Sequence, residues 1–185
     1  MDQKNAEGIA ERLRRSDPRA LEWLVAAFNR PVYRFLICRG VESDLAEELT
    51  AETFFQLVRG FVRFRGDDGQ VRGFVYATAR NVRSSNKRRT RGVELSCDGF
   101  SDPIDGRLTP LQRILAVERS EQITDAVSQL SDVAREIVFL RFVEDLSIDE
   151  IASACSLPTG TVKSHLHRAK QELKRMLTET EISDE

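Results

Sequence analysis

The amino-acid sequence predicts an all-α chain built as two small helical domains joined by a flexible linker. Three observations carry that prediction. Apolar residues recur at i, i+3, i+4 and i+7 through most segments, and no stretch of useful length alternates with the period of a strand. Residues that start and stop helices punctuate those segments. One stretch, Gly92 to Arg107, is rich in Gly, Asp and Ser and holds no sustained period, as a linker does. The boundaries that follow are a first helical domain over 1–91, a linker over 92–108, a second helical domain over 109–178 and an acidic tail over 179–185.

Taken in order, Ala6 to Arg15 reads as a short amphipathic helix. Ser16-Asp17-Pro18 restarts helix, with Pro18 in the first turn, where its missing amide hydrogen costs nothing. Ala20, Leu21, Leu24, Val25 and Phe28 follow at helical spacing. Pro31 starts or kinks the next segment, which continues through Val32, Phe35 and Leu36 to Gly40. Ser43 opens a longer helix reaching Phe64. Its buried side is read as Leu45, Leu49, Phe54, Leu57, Val58 and Phe61, leaving Asp44, Glu47, Glu48 and Glu52 outside.

Phe64 to Gly69 is a loop by its glycines and aspartates. Gln70 to Arg88 is helical again, and sets the aromatics Phe74 and Tyr76 beside a cationic row of Arg72, Arg80, Arg83, Lys87 and Arg88. Two readings stay open for this helix. Rings beside cations suit a single nucleic-acid strand, because bases stack on rings while cations follow the phosphates. The same rings can equally belong to the core. Beyond the linker, Thr109-Pro110 restarts a helix that ends near Gln129, and Ser131 to Val143 forms another, with Ala134, Ile137, Val138 and Phe142 among its apolar positions.

The strongest local signal is Leu146 to Leu173, two helices joined by a tight turn. Ser147 and Glu150 make a capping box at the start of the first. Ile148, Ile151, Ala152 and Cys155 form its apolar stripe, and Ser156-Leu157-Pro158 stops it. The second helix starts near Thr159 or Gly160 and turns Val162, Leu166, Ala169 and Leu173 inward. Its other face carries Thr161, Ser164, His165 and Arg168, flanked by Lys163, Lys170, Lys174 and Arg175. A helix anchored on one side and lined with hydroxyls and cations on the other suits the major groove of DNA. This is a helix-turn-helix signature.

Charge is segregated although the formal net charge is only −2. Arg59 to Arg91 holds ten cations against two acids, whereas Glu42 to Glu52 holds five acids and no cation. Such segregation implies two partner surfaces, one anionic and one cationic. The three cysteines, Cys38, Cys97 and Cys155, lack metal-type spacing, and His165 and His167 lie two apart, off a shared helix face. No apolar run reaches membrane-spanning length and no signal-peptide core opens the chain, so it reads as cytoplasmic, without membrane insertion of its own.

Both halves resemble one family. LSDVAREIVFLRFVEDLSIDEIA and LPTGTVKSHLHRAKQEL are similar to region four of bacterial RNA polymerase sigma factors of the extracytoplasmic function (ECF) group. DPRALEWLV, AEELTAETFF, FRG and FVYATARNV resemble region two of the same group. The resemblance runs from Asp17 to Leu177 and implies an alternative sigma factor that binds core RNA polymerase and directs transcription initiation. It implies that Asp44, Glu47, Glu48 and Glu52 dock on core polymerase. It implies that Arg65, Arg72, Phe74, Tyr76, Arg80, Asn81, Arg83 and Lys87 recognise and melt the minus-ten element of promoter DNA. Thr161, Lys163, Ser164, His165, Arg168 and Lys170 would read the minus-thirty-five element. An anti-sigma factor is an expected further partner.

Two other classes account for parts of the chain. A free-standing helix-turn-helix regulator, binding an operator as a dimer, explains the C-terminal half but leaves the acidic helix and the ATARN helix unassigned. A nuclease using Glu47, Glu48 and Glu52 as metal ligands lacks a further convergent ligand. No catalytic residue, metal site or cofactor is therefore assigned.

Overall fold

Every described element is a helix, as the periodicity requires. The computed structural model describes residues 8–89 and 122–183, with side chains through Arg88 and Thr178 at the ends of the two stretches. The linker, Cys97, the helix start at Thr109-Pro110 and the side chains of the acidic tail lie outside the described residues. The elements are α1 (Ile9–Arg14), α2 (Pro18–Cys38), α3 (Ser43–Phe61), a 3-10 turn (Asp68–Gln70) and α4 (Val71–Arg89), then a helical stretch at 122–128 (α5), α6 (Asp132–Phe142), α7 (Ile148–Cys155) and α8 (Thr159–Ser183).

Local chemistry explains most boundaries. Asp17 caps α2 by accepting from the Arg19 amide at 2.9 Å, with Pro18 in the first turn. Pro31 does not break α2. Its ring deletes the bond to the carbonyl of Ala27, which lies on an exposed turn where water can replace it. Asp67 and Gln70 form a capping box ahead of α4, and Ser147 and Glu150 form the expected one ahead of α7.

The buried stripe of α3 is rotated from the one read in the sequence. Val58 is exposed, and Thr50 and Thr53 are buried instead. Their hydroxyls donate to the carbonyls of Ala46 (2.7 Å) and Leu49 (2.6 Å), so no polar group is left unpaired by burial. Phe142, read as apolar lining of α6, is 66% exposed.

The sequence pattern gives no reason to expect the two halves to touch, yet they share one core. Phe35 of α2 meets Tyr76 of α4 at 5.4 Å between ring centroids and Phe139 of α6 at 5.8 Å. Val71, Val75 and Ala79 of α4 lie in the same cluster as Ile137, Leu140, Ile151 and Ala154 of the C-terminal half. Gly73 allows α4 and α7 to approach closely, since a Cβ there would sit 3.4 Å from the Glu150 carbonyl oxygen. A smaller cluster of Leu130, Ala134, Val138 and Ala169 seats α8 on α6.

Candidate nucleic-acid interface

The outer face of α8 is the first of three surfaces. Ser156 takes left-handed angles (φ 54°, ψ 45°) and closes α7, with the Leu157 amide donating to the Ala152 carbonyl at 2.9 Å. The chain then turns through Pro158 into α8, and Val162 and Ala169 are buried beneath it. Lys163, Ser164, Arg168 and Lys170 are exposed on the opposite side, while Thr161 and His165 are half-buried at its rim. Ser164 donates to the Gly160 carbonyl at 3.0 Å, which fixes its hydroxyl along the helix. A rigid helix presenting cations and hydroxyls to solvent is what phosphate and base-edge contacts need.

The second surface is the acidic face of α3. Asp44, Glu47, Glu48 and Glu52 are all exposed there, and Glu52 accepts from the Gln56 amide at 2.6 Å. The face continues into Phe55, which is 56% exposed and lies under the Arg59 guanidinium at 5.4 Å, and into Val62. Between α3 and α4 runs a polar groove lined by Glu48, Glu52, Thr78, Asn81, Ser85 and Asn86. Of the α4 residues singled out in the sequence, only Asn81 reaches that groove. Thr78, Ser85 and Asn86 carry no charge or ring to mark them in advance.

The third surface is α4, and its expected residues divide. Arg65, Asn81 and Lys87 are exposed. Phe74 is half-buried in an aromatic cluster, 5.1 Å from Phe61 and 4.9 Å from Phe64 between centroids. Of its two open readings, packing is the one this geometry satisfies. Phe74→Ala is expected to cost about 2–3 kcal/mol in urea unfolding, below the ~3–5 kcal/mol of a fully buried ring. It should also weaken duplex and premelted promoter templates equally, whereas rescue by the premelted template would assign the ring to base stacking.

At the boundary with the C-terminal half Tyr76 and Arg83 are buried, and Arg72 and Arg80 are half-buried. Tyr76 is fully buried, and its hydroxyl donates to the Glu144 carboxylate. Burial first, then the Glu144 charge, pushes its phenol far above the ordinary value. Arg72 donates to the Glu144 carbonyl. Glu136, 2% exposed, pairs with Arg39 and lies 3.3 Å from Arg80. Arg83 donates to the Arg39 carbonyl at 2.6 Å and lies 3.8 Å from Asp132, and burial holds its guanidinium below the usual arginine range.

Sequence reasoning missed Arg39, Asp132, Glu136 and Glu144. Glu136 follows Arg135 directly ahead of the apolar run from Ile137 to Leu140, and nothing at that position marks it as buried. Cys155 is buried, which pushes its thiol up to about 12 and leaves it a core residue. Among the described residues no group of acidic, His and Cys side chains is placed to hold a metal, and no helix is long and apolar enough to cross a membrane.

The fold and its helix-turn-helix define a class, and comparison with known proteins specifies it. The family model for sigma-70, region 4 matches residues 120–173. The chain is 30% identical over 155 residues to ECF RNA polymerase sigma factor SigM of Bacillus subtilis, covering 80% of this chain and 90% of SigM. It is 26% identical over 170 residues to ECF RNA polymerase sigma factor BldN of Streptomyces coelicolor, covering 91% of this chain but 64% of BldN. Among solved structures, the sigma factor RpoE in complex with the anti-sigma factor NepR from Bartonella quintana matches with a TM-score of 0.66 at 21% identity, over 85% of this chain and 96% of that one. The chain belongs to the ECF sigma factors of RNA polymerase. It is an alternative sigma factor, a family that acts in transcription initiation and whose members are not enzymes.

Proposed function

We propose a division of labour among the three surfaces. The N-terminal half, 1–91, docks on core polymerase through Asp44, Glu47, Glu48 and Glu52 and engages the minus-ten element through α4 and the loop before it. The C-terminal half, 109–178, reads the minus-thirty-five element through α8. The segment at 92–108 connects them, and 179–185 is an acidic extension. The exposed row of Lys163, Ser164, Arg168 and Lys170, on a helix seated by Val162 and Ala169, carries this reading. It supports base and phosphate contact without further rearrangement of α8.

The acidic face of α3 supports a cationic protein partner, since exposed carboxylates in one row repel DNA. Exposed Phe55, Val62, Phe142 and Val143 add apolar area for protein partners, core polymerase first and an anti-sigma factor second. No catalytic role is proposed for any residue.

The test is promoter recognition by reconstituted holoenzyme. His165→Ala and Arg168→Ala are each expected to weaken selection of the minus-thirty-five element by about 1–3 kcal/mol and to relax preference at one base position. Lys170→Ala should weaken binding evenly across sequences and flatten its salt dependence, as a phosphate contact does. If all three variants keep both the preference and the salt slope of the parent, α8 is not the reader.

A further inference from the structure

We infer that Arg14 of α1 and Asp68 are positioning residues for minus-ten recognition, which tether the loop at 62–70 to α1 and so hold Arg65 in the geometry that meets DNA. The inference rests on the reading of that loop as part of the minus-ten surface. Arg14 Nη1 donates to the Gly66 carbonyl at 2.9 Å, which fixes the backbone directly after Arg65. The Ala10 amide donates to Asp68 Oδ1 at 2.8 Å, a second tether two residues further on. Arg65 itself is exposed between the tethered backbone and solvent.

The helix can serve as an anchor because it is itself fixed. Leu13 is fully buried and Ala10 is 2% exposed, both in the main core. Glu11 sets the Arg14 fork, with Oε2 accepting from Nε at 3.1 Å and from Nη2 at 2.6 Å, which leaves Nη1 for the loop. A guanidinium already held at two nitrogens loses little further freedom on taking a third acceptor. Gly8 has no side chain to cap α1, and Asp68 supplies an acceptor in its place. A Cβ at Gly8 would lie 2.5 Å from Asp68 Oδ2, so the glycine is what admits the carboxylate.

The loop secures its own ends but not its middle. The Phe64 amide donates to the Phe61 carbonyl at 3.0 Å, with the Phe64 ring against Phe61 and Phe74. At the other end stands the Asp67–Gln70 capping box. The carbonyl of Gly66 is held from outside the loop, by Arg14. A segment that samples several geometries binds more weakly by the fraction of time spent in the competent one, and a contact that excludes the others restores that fraction.

The test uses reconstituted holoenzyme and promoter templates randomised over the minus-ten and minus-thirty-five elements. Arg14→Ala and Asp68→Ala are each expected to lower base preference about 10-fold at one minus-ten position, the same in both, as loss of a charge-assisted hydrogen bond allows. Helicity, co-elution with core enzyme and minus-thirty-five preference should stay parental. Asp68→Asn keeps an acceptor for the Ala10 amide and should retain the parental preference. Glu11→Ala should lose part of it, and add nothing in an Arg14→Ala background, because it acts through Arg14.

Parental minus-ten preference in both Arg14→Ala and Asp68→Ala overturns the inference. So does a loss spread evenly over all templates with a flatter salt dependence, which would make Arg14 a phosphate contact. Equal losses in Asp68→Asn and Asp68→Ala overturn it as well, since charge and not the tether would then matter. A fall in helicity with loss of preference at both elements assigns the two residues to the fold alone and overturns it too. Inserting Gly-Gly between Arg65 and Gly66 displaces the loop whatever holds it, and separates the two failures. If the insertion flattens minus-ten preference while Arg14→Ala and Asp68→Ala do not, the loop reads DNA and the tether is wrong. If the insertion leaves the preference intact, the loop reading fails and the tether falls with it.

Discussion

Glu48→Lys combined with Glu52→Lys is expected to abolish association with core RNA polymerase. The two carboxylates lie one helical turn apart on the exposed side of α3, so they present to one partner surface. Reversing both places like charges across that contact, at a cost of several kcal/mol. Neither residue pairs with the C-terminal half, and neither is buried, so helicity by circular dichroism should be unchanged. Size-exclusion chromatography with core enzyme is the measurement. The parent should co-elute, and its weak, salt-sensitive DNA binding as a free chain should become promoter-specific in the complex. The double variant should do neither. Co-elution at parental affinity would show that the docking surface lies elsewhere.

Removing the Glu136 carboxylate is the second large effect. Glu136 is 2% exposed and neutralises Arg39, whose side chain is only 8% exposed. Glu136→Ala leaves that guanidinium buried without its counter-ion, which costs about 3–5 kcal/mol where the site cannot relax. Here it can relax, because separation of the two halves returns Arg39 to water. The loss measured by denaturant unfolding is therefore bounded by the free energy that holds the halves together, and a shortfall against the full range measures that quantity. Replacing both members, Arg39→Met with Glu136→Leu, should recover most of the loss, since an apolar pair of similar volume is often no worse than a buried ion pair. A double variant no more stable than Glu136→Ala would assign the cost to lost packing.

The helices themselves were legible because each rests on local chemistry: the Ser147–Glu150 capping box, the Asp17-Pro18 start and the stripe under α8 all involve residues within one or two turns. The acidic α3 face was legible for the same reason, as a charge row four residues apart in period. What the sequence could not show is anything fixed by partners far along the chain. Thr50 and Thr53 replace Val58 on the buried side of α3 because their hydroxyls find carbonyls one turn back, a pairing that hydropathy does not register. Arg72, Tyr76 and Arg80 read as a surface because the 1–89 stretch alone gives them no anion. Their partners, Glu136 and Glu144, sit beyond the linker and announce nothing at their own positions. Pro31 misled in the opposite sense, since a missing hydrogen bond matters little on an exposed turn.

The placement of Tyr76 gives the chain an optical indicator of its own. There is a single tryptophan, Trp23, partly exposed on α2 with its ring against Phe28. The chain has only one other tyrosine, Tyr33, half-buried beside Ser43 at 3.0 Å. Alkaline titration followed by phenolate absorbance should therefore leave Tyr76 silent until the halves part. Any ligand or substitution that parts them converts the silent chromophore into a titrating one, with no label attached.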